Sequence, residues 1–295
     1  MKQSLSYYLT LLVIRMKGIK KNFSRDPVDY KRIRKDDVIV PKGKFFKEYG
    51  TKKFEVLGST IHEVAMHKAS KKLVIFVHGG AFISGPAQHH WDAVETIAEE
   101  TSCRIWLCNY PKAPASQIEE ISANIDAIYN KALEGFDAGN IIFLGDSVGA
   151  TLLIALTQRL IKHGKPLPKK LVLISPVMDA SLRNPEIKER EKRDPMLAIA
   201  GILSAKRMCA GDISLTDPMI SPIYGSFQSF PSVILFIGGR DIMAPDEYIA
   251  MEKMKAAKVK LVLIEEENMP HIWPILPVMK EAKQAMVRII KALNS

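Results

Sequence analysis

A chain of 295 residues, 47% of them hydrophobic, can bury the core of one large α/β domain, and it shows neither low-complexity tracts nor internal repeats. Its net charge of +10 sits at one end: residues 1–72 hold 18 Lys+Arg against 7 Asp+Glu, while the remainder carries 24 against 25. No recognised nucleic-acid motif accompanies that charge. Three cysteines (Cys103, Cys108 and Cys209), an odd number without an even framework, argue against a disulfide scaffold and fit a reducing, cytoplasmic setting; none has metal-ligand spacing to histidine, so they read as buried core residues.

The first element is apolar from Ser4 to Ile14, broken by Ser6 and Thr10. It is too short for a bilayer span, which needs about 20 apolar residues. It lacks a small-residue cleavage site and is followed by Arg15, Lys17, Lys20 and Lys21, so it does not read as a signal peptide. Leu5, Tyr8, Leu9, Leu12, Met16 and Ile19 share one helical face, and Tyr7, Leu11 and Ile14 make a second patch. The expectation is an amphipathic helix laid over something apolar, the protein's own pocket in preference to a membrane surface. Residues 1–35 are read as a helical cap and 36–295 as the α/β domain.

Short polar and β-like pieces follow at 37–40 and 54–66. Apolar runs too short for helices then recur at 73–77, 104–109, 141–144, 171–174, 233–237 and 261–264. Helix-length amphipathic stretches lie at 91–100, 116–133, 148–161, 246–258 and 278–293. Continuous Val/Ile/Leu runs mark strands covered on both faces, and their alternation with helices predicts a mainly parallel central sheet flanked by helices. Residues 177–222 break this rhythm with a charged segment and an apolar helical piece. They read as a cap insertion at the top of the sheet, forming a lid with residues 1–35.

The chemistry concentrates at the strand ends, where open α/β sheets bind ligands. After the run at 73–77 comes His78-Gly79-Gly80-Ala81-Phe82, whose backbone N–H groups at Gly80 and Ala81 suit a developing oxyanion. His78 reads as a loop-stabilising residue, with His89 and His90 close behind. Gly145-Asp146-Ser147-Val148-Gly149 stands between a strand and a helix, the setting of a nucleophile elbow. Glycines there clear room for the tight turn, Ser147 is the candidate nucleophile, and Val148 N–H at the helix start is a third oxyanion donor. Asp241, directly after the run at 233–237, is the candidate orienting acid in preference to Asp194 and Asp217. Asp246, five residues on, reads as a helix N-terminal acid. His271, in a loop restricted by Pro270 and Pro274, is the candidate base. His62 and His67 in the early β region, and His163 in a linker, are poorer bases.

With these pieces assembled, the chain resembles the hormone-sensitive-lipase-like branch of the α/β-hydrolase family. The motifs that carry the resemblance are His78-Gly79-Gly80-Ala81-Phe82, Gly145-Asp146-Ser147-Val148-Gly149-Ala150, Gly239-Arg240-Asp241 and His271-Ile272-Trp273. Two weaker echoes are Tyr110-Pro111-Lys112-Ala113-Pro114 and Asp217-Pro218-Met219-Ile220-Ser221-Pro222, the latter similar to a structural turn. Two departures stand out. Ala81 replaces the commoner third glycine, and the arginine and glutamate of the usual tyrosine motif are missing. The resemblance implies a cap and a serine carboxylesterase that cleaves short- to medium-chain acyl esters through an acyl-enzyme, with no cofactor and no metal. Its expected partner is a small-molecule ester, with no nucleic acid. Membrane-surface contact through the N-terminal helix, and a homodimer, stay open. An amidase or peptidase on the same triad, or a non-catalytic ligand-binding relative, are the alternatives.

Overall fold

The computed structural model describes residues 3–66 and 70–295. Eight strands form one sheet: β1 (Lys52–Val56), β2 (Ser59–Val64), β3 (Leu73–Val77), β4 (Arg104–Asn109), β5 (Ile141–Asp146), β6 (Lys170–Ile174), β7 (Ser232–Gly238) and β8 (Leu261–Glu266). Their order is β1-β2-β4-β3-β5-β6-β7-β8. β1 and β2 pair antiparallel, β2 pairs antiparallel with β4, and every later pairing is parallel. Every residue of β3, β5 and β6 is buried, as expected for strands covered on both faces.

The helices are α1 (Leu5–Met16), α2 (Ile19–Asn22), α3 (Tyr30–Ile33), α4 (Lys44–Tyr49), α5 (Gln88–Glu100), α6 (Ile118–Leu133), α7 (Val148–Lys162), α8 (Pro185–Glu191), α9 (Ile199–Ala210), α10 (Ala244–Ala256) and α11 (Lys280–Asn294). All six regular strand runs and all five amphipathic stretches read from the sequence form as such, with ends shifted by at most three residues. Residues 37–40 do not form a strand. They run as a loop whose Val38 N–H donates to Pro86 O (2.7 Å) and whose Val38 carbonyl accepts from Trp91 Nε1 (2.6 Å). The backbone groups that a sheet would have satisfied are taken by another loop and a side chain. His67 lies outside the described residues. The three cysteines are free and buried.

The fold decides which of the two apolar patches of the N-terminal helix faces inward. The side it turns inward is the second patch: Tyr7 and Ile14 are buried and Leu11 is half-buried, whereas Leu5, Tyr8, Leu9, Leu12 and Met16 are exposed. Periodicity allows either stripe to face in, and polar groups decide between them. Ser4 donates from its N–H and its hydroxyl to Glu281 (both 2.8 Å), and Ser6 Oγ accepts from Lys280 N–H (3.0 Å). Tyr7 Oη donates to Asn268 O (2.8 Å) and accepts from Arg240 Nη1 (2.9 Å).

Beyond α1, the N-terminal segment packs on residues of the 177–222 insertion. Gly201 N–H donates to Phe23 O (2.8 Å), and Val28 N–H donates to Ser204 Oγ (3.0 Å). A side chain at Gly201 would meet Phe23 O at 2.2 Å, so only glycine lets the two backbones approach this closely.

Candidate active site

The elbow rises from the end of β5 into α7. Ser147 has φ 50° and ψ −127°, a left-handed position for a non-glycine residue held by its surroundings. Its N–H donates to Ile174 O of β6 (2.8 Å). The flanking glycines are obligatory. A Cβ at Gly145 would sit 2.7 Å from Ala150 N, and one at Gly149 would sit 2.0 Å from Val77 O.

Opposite the elbow, the loop after β3 is tied down through Asp146. Its Oδ1 accepts from Gly79 N–H (3.0 Å), and its carboxylate lies 3.2 Å from His90 Nε2. Burial pushes the Asp146 carboxyl upward, but His90, His89 and the Gly79 amide outweigh it and hold the carboxyl below its ordinary range. Gly79 N–H is thereby used. Among the described residues nothing accepts from the N–H groups of Gly80, Ala81 or Val148. The His78 ring stacks on Tyr110 (4.7 Å between centroids), whose hydroxyl donates to His78 O (2.9 Å).

His271 and Asp241 meet across two loops. Nδ1 of His271 lies 2.6 Å from Asp241 Oδ2, and both residues are buried. The other carboxylate oxygen accepts from Met243 N–H (2.9 Å). Burial alone would lower the imidazole pKa, but the charge and hydrogen bond of Asp241 outweigh it and hold the pKa above 6.5. The loops approach so closely that a Cβ at Gly238 would meet Pro270 O at 2.6 Å. The two rival acids are engaged elsewhere. Asp194 accepts from the N–H groups of Met196, Leu197 and Ile242, and Asp217 accepts from Met219 N–H. Asp246 is buried in the first turn of α10 and accepts from Asn184 Nδ2 (2.9 Å); burial pushes it up to about 6.

Ser147, His271, Gly80, Ala81 and Val148 line one cavity of about 180 Å³. Its other walls include Ile19, Phe23 and Ile33 from the N-terminal segment and Met196, Leu197 and Ile202 from the insertion. Two features escaped sequence reading. His90 bridges to Asp146, a link between residues 56 apart in the chain. Lys206 reaches the cavity from α9 while only 1% exposed, and burial pushes its amine down to about 7. A lone lysine in an apolar helix looks like a surface residue, so no sequence signal marked it.

His89, His90 and Asp146 bring potential metal-ligand atoms within 4.8 Å of one another. The hydrogen bonds argue against a metal there. His90 Nδ1 accepts from Ala87 N–H (2.8 Å), so in the neutral ring the proton is on Nε2, the nitrogen that faces Asp146. An ion at Nε2 would have to displace that proton and break the Ala87 bond.

A family model described as the alpha/beta hydrolase fold matches residues 74–275. The chain belongs to the alpha/beta hydrolase family. It is 28% identical over 236 residues to an esterase of Acinetobacter venetianus, covering 79% of this chain and 78% of that one. It is 26% identical over 214 residues to an acetyl-hydrolase of Streptomyces hygroscopicus, covering 70% and 71%. Among solved structures, an esterase from the bacterial hormone-sensitive lipase family superposes with a TM-score of 0.87 at 25% identity, covering 100% of this chain and 99% of that one. The hormone-sensitive-lipase-like resemblance read from the motifs therefore holds.

Proposed function

We propose that this hydrolase cleaves short- to medium-chain acyl esters through an acyl-enzyme on Ser147. The observation that carries the reading is that His271, held by the buried Asp241 behind it, lines the same cavity as a strained elbow serine and three unengaged backbone N–H groups. In the sequence of steps, His271 Nε2 takes the Ser147 proton as the oxygen attacks the ester carbonyl. The N–H groups of Gly80, Ala81 and Val148 donate to the tetrahedral oxyanion, with the N-terminus of α7 adding its positive end. His271 then protonates the leaving alcohol, and a water attacks the acyl-enzyme by the same route. Asp241 holds the ring in the tautomer that presents a bare Nε2 and favours the imidazolium once it forms.

The chain-length reading rests on volume. A cavity of about 180 Å³ is near the roughly 150 Å³ that holds a benzene molecule. An acyl group of a few carbons fits; a long lipid tail must leave through the opening. Residues 1–35 and the insertion act as the cap that supplies its apolar walls.

The test is hydrolysis of p-nitrophenyl esters of increasing acyl length by the parent and by Ser147→Ala, with fluorophosphonate labelling in parallel. The expected outcome is one label per chain on Ser147, a loss on the order of 10⁶ in turnover for the variant, and a fall in kcat/KM beyond medium chains. Near-parental turnover by Ser147→Ala would end the reading.

A further inference from the structure

The outward face of α1 is apolar. Leu5, Tyr8, Leu9, Leu12, Val13 and Met16 recur at helical spacing and are 48–77% exposed. Single exposed apolar residues are ordinary, but six large ones on one twelve-residue helix make a contiguous patch of the kind that marks an interaction site. The helix itself is firmly seated on its other side by Ser4, Ser6 and Tyr7.

Beside this face runs a groove lined by Arg15, Lys20, Lys21, Arg193 and Arg240. None of these five forms an ion pair with a carboxylate among the described residues. Lys20 is spent on the carbonyls of Glu191 and Asp194, and Arg240 on Arg193 O and Tyr7 Oη, which leave their charges uncompensated. The acid in the groove, Asp194, is buried and turned to backbone N–H groups. Ile19 lines both this groove and the Ser147 cavity, so the two are neighbours that share the short helix α2 as a wall.

We infer that α1 and the adjoining basic groove form a docking surface for an anionic lipid bilayer. The apolar face would enter the headgroup–acyl boundary while the cations meet lipid phosphates and carboxylates. The charge balance selects this occupant. All the excess positive charge of the chain lies in residues 1–72, and an apolar face edged by unpaired cations complements a negative apolar interface. A second copy would place those cations against one another. The helix is too short to cross the membrane, and no helix among the described residues is long and apolar enough to do so. The docking is peripheral and reversible.

The experiment is co-sedimentation of the full chain with equimolar phosphatidylcholine/phosphatidylserine vesicles and with pure phosphatidylcholine vesicles, beside a sedimentation-velocity measurement of the free protein. Binding to the mixed vesicles is expected, weaker by at least about tenfold on pure phosphatidylcholine and reduced by raised salt. Leu9→Asp/Leu12→Asp, and separately Arg15→Gln/Lys21→Gln, should each weaken it about tenfold or more. Both variants should hydrolyse soluble p-nitrophenyl acetate at the parental rate, since neither touches the Ser147 cavity. Ser147→Ala should bind vesicles as the parent does, which separates this inference from the catalytic one. Three results would each overturn the inference: no sedimentation of the parent, binding indifferent to both double variants, or a dimer that Leu9→Asp/Leu12→Asp dissolves without any vesicle binding.

Discussion

Replacing Asp241 by asparagine tests the central pair most sharply, because the hydrogen bonds dictate which way the new amide must turn. Oδ1 of Asp241 accepts from Met243 N–H, so an asparagine keeps its carbonyl oxygen there and places its NH₂ where Oδ2 now faces His271 Nδ1 at 2.6 Å. The amide then donates to Nδ1 and forces the ring proton onto Nε2, the nitrogen that must accept from Ser147. The wrong tautomer costs about 10⁴ in kcat in the serine-protease case, equivalent to roughly 5.5 kcal/mol of transition-state stabilisation. The pH dependence gives a second readout. Asp241 holds the His271 pKa above 6.5, so the base is protonated and inactive on the acid side, and the acid limb of kcat/KM in the parent should lie above that value. Without that carboxylate the largest raising influences are gone and burial is opposed only by the more distant charges of Asp194 and Asp146, so the limb should move to lower pH. Steady-state hydrolysis of p-nitrophenyl butyrate across pH measures both. Asp194→Asn is the control: its carboxylate serves three backbone N–H groups, so it should lose stability while keeping kcat within about tenfold. Asp241→Asn retaining kcat within tenfold of the parent, or Asp194→Asn losing as much, would refute the reasoning.

Three further outcomes follow from the geometry. Gly149→Ala drives a methyl to 2.0 Å from Val77 O and should cost about 3 kcal/mol or more, seen as a clear fall in thermal midpoint, whereas Gly139→Ala, with open space around it, should stay within about 0.5 kcal/mol. Lys206→Met should raise the urea midpoint at pH 6. The folded-state pKa of about 7 lies below the ordinary 10.5, so the buried charge is a full penalty at low pH, on the order of a few kcal/mol, that fades as pH rises from 7 toward 10.5; the gain should therefore shrink at pH 9. Prolonged treatment with EDTA should leave turnover unchanged, because the His90 tautomer that ties down the Gly79 loop argues against an ion at His89, His90 and Asp146.

The sheet was legible because β3, β5, β6 and most of β7 are continuous apolar runs, and only burial on both faces sustains such runs. The elbow was legible for a steric reason: glycines at 145 and 149 stand where any Cβ would strike backbone. Where two solutions fit one pattern, the sequence was silent. The helix at residues 5–16 carries two apolar stripes, and the choice between them rests on Ser4, Ser6 and Tyr7 meeting Asn268, Lys280 and Glu281, partners more than 250 positions away. Residues 37–40 have strand-like composition but find their partners in Pro86 and Trp91. Lys206 and His90 acquire their meaning only from what the folded chain packs around them.

The contact between Gly201 and Phe23 carries a consequence for the walls around Ser147. Because the carbonyl of one segment sits where the other's side chain would be, the N-terminal piece and α9 cannot slide past each other without losing that seat and the hydrogen bond beside it. The two segments that share the walls of the Ser147 cavity are therefore held to each other at one point. A bulkier residue at 201 should push both walls apart together, and would be felt in the shape of the cavity before it is felt in the turn that carries the serine.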